Sequence, residues 1–183
     1  QSTASEIGDE PMQIKNKFPN ITVAVDANRV RGIKKLMQLP EKPDVIILDD
    51  GFQHRYVKAD INILLIDYNR PIYEDSLLPL GRLREKQSAK DRANYVIVTK
   101  CPANISPIEK RIISKHLNLM AYQQLLFTTM KYGNITPLDT SSRCSITPDC
   151  AILCVTGIAQ PAPYIEHLEK LTNQIHHVSF PDH

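Results

Sequence analysis

The sequence predicts an α/β fold built on a mostly parallel sheet, followed by a smaller α/β unit, and three observations carry that expectation. The apolar runs Val45–Leu48, Ile61–Ile66 and Tyr95–Thr99 are close to continuous, the habit of strands covered on both faces rather than one. Segments of helical period, Arg29–Leu39 and Ser106–Leu117, stand between strand-like runs, as they do in β-α-β chains. Beyond a turn-rich stretch from Gly133 to Ser142, the order strand, helix, strand recurs in Ala151–Val155, Pro163–Leu171 and Ile175–Phe180.

Taken in chain order, Gly8-Asp9-Glu10-Pro11 places acidic residues and a proline where a helix can begin. Ile21–Val25 is β-branched and reads as a short strand, and Arg29–Leu39 reads as a helix closed by Pro40. Asp44–Leu48 is the next expected strand; Ile61–Asp67 and Tyr95–Thr99 follow it. Asn69–Gln87 is long, charged and proline-bearing, which suits a functional loop or a short helix. Ser106–Leu117 opens with Pro107 in its first turn, a favoured start for a helix. The pattern changes near residue 125, so the expected division is a core of residues 1–125 and a ribbon linker with the start of a smaller C-terminal domain at 126–183.

Size and composition narrow the function classes. A chain of 183 residues can hold one good core or a larger and a smaller domain, and 42% hydrophobic with 23% charged residues is the balance of a soluble globular protein. A net charge of +2 is too mild to point to nucleic acid, although the local pairs Arg29/Arg31 and Arg82/Arg84 suit phosphate. No apolar run approaches a membrane span. Cys101, Cys144, Cys150 and Cys154 lack paired C-x-x-C spacing and read as reduced thiols. The chain opens on Gln1 and ends on Pro181-Asp182-His183, which reads as part of a longer protein.

Several motifs carry chemistry. Asp49-Asp50-Gly51-Phe52-Gln53-His54 follows an apolar run with two carboxylates, a glycine and a polar tip. Asp-Asp-Gly is ordinary turn chemistry, and it is equally the place where a carboxylate orients Mg²⁺ on a nucleotide at a strand's carboxyl end. Asp9 can serve helix capping or act as a base. Gly81-Arg82-Leu83-Arg84-Glu85 joins arginines, whose planar forks match phosphate, to a hard oxygen donor; an exposed Arg–Glu pair is the plainer reading. Asp182-His183 pairs an imidazole with a carboxylate at a strand end, and Arg29 follows a strand where it can meet phosphate.

In this order, Gly8-Asp9-Glu10-Pro11, Leu48-Asp-Asp-Gly-Phe-Gln-His54, Leu78-Pro-Leu-Gly-Arg-Leu-Arg84-Glu85, Thr156-Gly-Ile-Ala-Gln-Pro161 and Phe180-Pro-Asp-His183 resemble the tetraacyldisaccharide 4'-kinases, the lipid A 4'-kinases of Gram-negative bacteria. The resemblance runs from Gly8 to His183. It implies a P-loop-NTPase-like, mostly parallel sheet with helices on both faces and a smaller α/β C-terminal domain. It also implies phosphorylation of the 4'-hydroxyl of a lipid A disaccharide precursor with ATP and Mg²⁺, peripherally at the cytoplasmic face of the inner membrane. Asp9 would be the base and His183 its dyad partner. Asp49, Asp50 and Glu85 would manage Mg²⁺, and Arg29, Gln53, His54 and Arg84 would contact substrate. The Gly157–Pro161 turn would lie near the nucleotide. Neither a nucleic acid nor a protein partner is implied.

The chain departs from the family in having no Gly-x-x-x-x-Gly-Lys-Ser/Thr loop among its 183 residues, nor the apolar N-terminal helix of the family. The expectation is therefore a soluble fragment that binds ATP poorly and turns over little. Two other readings remain: a non-catalytic sugar-phosphate or nucleotide-binding module, and a Mg²⁺-dependent hydrolase using the paired aspartates.

Overall fold

The computed structural model describes residues 3–137 and 146–181, and the chain divides into two compact units, Gln1–Thr129 and Met130–His183. Both are α/β with parallel strands, as the sequence predicts.

The first unit begins with helices α1 (Ala4–Ile7), α2 (Asp9–Lys17) and α3 (Arg29–Leu36). Gly8 precedes α2 at φ 92°, a left-handed backbone that favours glycine. Asn28 caps α3, its side chain accepting the Arg31 N–H at 3.0 Å. The sheet follows: β1 (Ile63–Asp67), β2 (Tyr95–Cys101) and β3 (Gln124–Thr129), all parallel and in that order. Helix α4 (Pro107–Leu117) connects β2 to β3. Its boundaries follow from local chemistry: Ser106 accepts the Glu109 N–H at 3.1 Å, Pro107 fills the first turn, and Asn118 turns left-handed at φ 44° to end it.

Register explains where the core sits. Leu64, Val96 and Leu125 lie side by side, as do Ile66, Val98 and Phe127, and these two rows face Ile113 and Leu117 of α4 in one hydrophobic cluster. The intervening row, Leu65, Ile97 and Leu126, points to the opposite face, where Leu65 is 63% exposed. One face of the sheet is thus packed and the other open. Beyond Val98 the ladder slips, Lys100 adopts φ 58°, and its ammonium meets Asp67 at 2.6 Å across the strand ends.

The structure differs from the sequence reading at two expected strands. Among the described residues, neither Ile21–Val25 nor Asp44–Leu48 joins a ladder. Along the second, Val45 and Ile47 are exposed while Ile46 and Leu48 are half-buried, the two-residue period of a strand with no hydrogen-bonded neighbour. An apolar run announces the side chains of a strand; the strand itself requires a partner backbone. The expected helix at Arg29–Leu39 stops at Leu36, and β2 runs two residues past Thr99.

The second unit pairs β4 (Ala151–Thr156) with β5 (Gln174–Ser179) in parallel, with α5 (Ala162–Leu168) between them. Cys154, Thr156, Leu168 and Thr172 are buried. The Thr172 hydroxyl lies 3.1 Å from the Pro148 carbonyl and accepts the Gln174 N–H at 3.2 Å, which fixes the starts of both strands. Cys101, Cys150 and Cys154 are free thiols, and burial raises the Cys101 pKa; Cys144 lies outside the described residues. No described helix is long and apolar enough to cross a membrane.

Candidate active site

One carboxylate, Glu85, joins two segments of the first unit through arginines. Glu85 Oε2 receives Arg92 Nη1 at 2.8 Å and Arg55 Nη2 at 3.1 Å. The hydrogen bond from Arg92, reinforced by Arg55, keeps the Glu85 carboxyl below the usual glutamate range against the opposing pull of burial. Arg92 also reaches back to the turn that carries the paired aspartates: Nη2 donates to the Phe52 carbonyl at 3.1 Å, and the guanidinium sits 4.7 Å from the centre of the Phe52 ring. Arg55, Arg84, Glu85, Lys86 and Arg92 line a common open cavity of about 440 Å³. Four cations around one carboxylate make a concavity suited to an anion with several oxygens.

Asp49 and Asp50 occupy a true turn with both carboxylates exposed. Asp50 has φ 47°, and its N–H donates to Asp49 Oδ1 at 3.0 Å. A Cβ on Gly51 would stand 2.9 Å from Leu48 Cβ, so the chain turns there only because that atom is missing. The His54 N–H then donates to the Gly51 carbonyl at 3.0 Å, leaving Gln53 and His54 exposed at the tip. Turn and open carboxylates coexist.

The loop bearing Arg84 is folded around Asp75. Asp75 Oδ1 accepts the N–H groups of Ser76 at 2.8 Å and Arg82 at 3.0 Å, and these bonds lower its pKa. Leu83 N–H donates to the Ser76 carbonyl, and Leu78 N–H to the Leu83 carbonyl, both at 3.0 Å. Gly81 is enclosed by the same strands of the loop. Leu78–Pro79 is a cis peptide bond.

Other sequence candidates stand apart. Asp9 is exposed in the first turn of α2. Arg29 is half-buried at the start of α3, where Nη1 donates to the Asp26 carbonyl. Among the described residues no hydrogen bond or ion pair links Asp9 or Arg29 to the Glu85 cluster. His183 lies outside the described residues. Gly157–Pro161 is in the second unit, between β4 and α5. Among the described residues no three metal-ligating side chains are gathered closely enough to enclose an ion.

Arg92, Arg55 and Asp26 were not among the sequence candidates. Arg92 sits in a 3-10 turn, Gln87–Arg92, and nothing in that segment's spacing points back forty residues to Phe52. Replacing it with Ala is expected to cost about 2 kcal/mol, because Phe52 loses a charged donor and Glu85 one of two cations. A double-mutant cycle with Glu85→Gln checks the coupling; strict additivity would show the pair to be independent. Asp26 grips Arg31 through both carboxylate oxygens, at 2.6 and 2.9 Å. That pair, with the Asn28 N–H, brings its pKa down to about 2. Because the folded value lies below the unfolded one, the pair's contribution is complete above about pH 4 and is lost as pH falls through about 2. A carboxyl NMR titration of Asp26 should therefore have its midpoint near the lower value.

Comparison with known proteins identifies the family. The profile of the family described as tetraacyldisaccharide-1-P 4'-kinase matches residues 1–183. The chain is 50% identical to the tetraacyldisaccharide 4'-kinase of Bacteroides thetaiotaomicron, with 100% of this chain and 51% of that protein covered. It is 52% identical to the Phocaeicola vulgatus protein of the same name, covering 97% of this chain and 50% of the relative. The Flavobacterium johnsoniae protein of that name is 43% identical, with 100% and 53% covered. No solved structure matches. The chain spans about half the length of these curated relatives. Matched over its full length by the family profile, the chain belongs to the tetraacyldisaccharide 4'-kinase family.

Proposed function

We propose that the full-length protein transfers the γ-phosphoryl group of ATP to the 4'-hydroxyl of a lipid A disaccharide precursor at the cytoplasmic surface of the inner membrane. One observation supports the reading beyond family membership: Arg92 joins Glu85, the neighbour of Arg84, to the Phe52 carbonyl two residues past Asp50, beside a guanidinium-lined concavity. Phosphoryl transfer asks a protein mainly for positioning and charge neutralisation, and this assembly has groups for both.

In this proposal Asp9 accepts the proton of the sugar hydroxyl, with His183 as its partner. Arg29, Gln53, His54 and Arg84 orient the acceptor and its phosphate. Asp49, Asp50 and Glu85 would hold Mg²⁺: the aspartates offer exposed hard oxygens and Glu85, whose Oε2 is taken by two arginines, has Oε1 to offer, although among the described residues the three are not gathered around one point. Bound there, Mg²⁺ would neutralise charge on the transferring phosphates. Arg92 and Arg55 favour the ionised form of Glu85, and Arg92 joins it to the Phe52 carbonyl.

The division of the protein is part of the proposal: residues 1–125 belong to the kinase core and 126–183 to the linker and the start of the smaller domain. The 183-residue chain, having no Gly-x-x-x-x-Gly-Lys-Ser/Thr loop, should bind ATP poorly and transfer little phosphate on its own. Incubating full-length protein and the 183-residue chain with labelled ATP and a detergent-dispersed tetraacyldisaccharide tests both statements. Label in the lipid is expected from the full-length protein alone. ATP binding without transfer would favour a non-catalytic module, phosphate release from a simple ester without ATP would favour a hydrolase, and robust transfer by the short chain would refute its inactivity.

A further inference from the structure

We propose that the cavity at the carboxyl end of β1 is a second ligand subsite, one that takes a phosphorylated sugar with Arg70, Arg82 and Lys100 supplying the positive charge. The inference rests on the kinase reading for the identity of its ligands, and on the build of the strand end for its location.

Parallel sheets bind ligands outside the carboxyl ends of their strands. The chain leaves β1 at Asp67, and two residues further on begins the lining of a cavity of about 440 Å³ that includes Asn69, Arg70, Glu74, Asp75 and Arg82. This cavity shares no lining residue with the one around Glu85. Asp67 Oδ1 accepts the Asn69 N–H at 2.9 Å, and Oδ2 accepts the Lys100 ammonium at 2.6 Å. Burial pushes the Asp67 carboxyl up, but the Lys100 bond, the Asn69 N–H and the nearby charge of Arg70 hold it below the usual aspartate range. Arg70 stands 3.9 Å from Asp75 Oδ2, beyond hydrogen-bond distance, so that pairing leaves its fork of donors able to grip an anion.

Lys100 carries the second observation. Among the described residues three non-glycines have positive φ: Asp50, Lys100 and Asn118. Aspartate in a turn and asparagine at the end of a helix take that backbone readily, whereas lysine does not. The left-handed residue falls where the β2–β3 ladder slips between Val98 and Cys101, and its ammonium crosses to the end of β1. An ion pair whose lysine side chain is 46% exposed recovers little of the backbone cost, and a glycine here would remove that cost outright. Strain of this kind is characteristic of positions that a ligand uses.

The mixture of groups selects the ligand. Arg70, Arg82 and Lys100 donate, while Asn69, Glu74 and Asp75 offer acceptors. With Asp67 included, three cations face three carboxylates, in contrast to the four cations around Glu85. A bare anion gains little from a balanced set, but a phosphate carried on a hydroxylated ring uses both signs. Both reactants of the proposed transfer are phosphorylated sugars, ATP and the disaccharide phosphate.

Glucosamine 1-phosphate, titrated into the full-length protein and followed by ligand-observed NMR, should bind about tenfold more tightly than inorganic phosphate; equal affinities would overturn the proposal. Arg70→Ala and Lys100→Gly should each weaken that binding about tenfold. Lys100→Gly separates ligand from structure, because it relieves the left-handed backbone: the thermal midpoint should hold or rise while affinity falls. A lowered midpoint with unchanged affinity would make Lys100 a structural residue and overturn the proposal. The same variants identify the reactant. A raised Kd for ATP, measured by equilibrium dialysis without acceptor, assigns the subsite to the nucleotide, and a raised KM for detergent-dispersed tetraacyldisaccharide 1-phosphate assigns it to the acceptor. If neither moves, the proposal falls. Because sugar-phosphate and ATP binding are read without turnover, failure of the subsite and failure of the kinase reading are separate results.

Discussion

Asp9→Asn in the full-length protein is expected to lower kcat for lipid phosphorylation by about 10²–10⁴-fold, the range associated with losing a positioned general base. The substitution keeps the size and planarity of the side chain and removes its capacity to take a proton. Asp9 stands in the first turn of α2, directly after Gly8, whose left-handed backbone sets the direction from which the helix starts. A carboxylate there has a plain structural use, since negative charge complements the amino end of a helix by about 0.3–1 kcal/mol. The two roles separate cleanly. A helix-terminal charge would appear as a small loss of stability with turnover intact, whereas a base would appear as lost kcat with KM for ATP and lipid nearly unchanged. Unchanged turnover in Asp9→Asn would remove Asp9 from the mechanism.

Local chemistry was the legible part of this chain. Helix α4 could be read from Ser106, Pro107 and its apolar spacing because each of those signals acts within four residues. The parallel strands β1, β2, β4 and β5 were visible as apolar runs with turns at their ends, and the α/β class followed from their alternation with helices. Ile21–Val25 and Asp44–Leu48 had the same side-chain signal but form no ladder among the described residues, since pairing depends on a second backbone that the run itself does not specify. The candidate site divides in the same way. Asp49, Asp50, Arg84 and Glu85 announced themselves by residue type and clustering. The contacts that tie Glu85 to Arg55 and, through Arg92, to Phe52 did not, because they span thirty and forty residues and depend on the packing of the first unit. Asp26 escaped notice for a different reason: a lone acid before an N-cap looks like loop chemistry, and only the turn of α3 brings Arg31 onto it.

Gly81→Ala is expected to destabilise the 75–85 loop by about 3 kcal/mol, an overpacking effect in a place with no slack. A Cβ at this position would press into the Ser76 carbonyl oxygen and Asp75 Oδ1, and would stand 2.6 Å from the Ser76 nitrogen. Those atoms cannot retreat independently. The Ser76 carbonyl accepts the Leu83 N–H, and Asp75 Oδ1 accepts the N–H groups of Ser76 and Arg82, so relief at one contact breaks several bonds of the same loop. Hydrogen exchange at Leu83 and Arg82 should accelerate in the variant, while the amides of β2 keep their protection. Gly133→Ala is the matched control, since a Cβ there meets nothing within 4 Å and should change stability by no more than about 0.5 kcal/mol. If Gly81→Ala left exchange at Leu83 unchanged, the loop would be shown to be pliable. The consequence reaches the proposed function, because the same backbone presents Arg84 to the cavity. A released loop should therefore weaken phosphoryl transfer by the full-length protein, whereas Gly133→Ala should spare it.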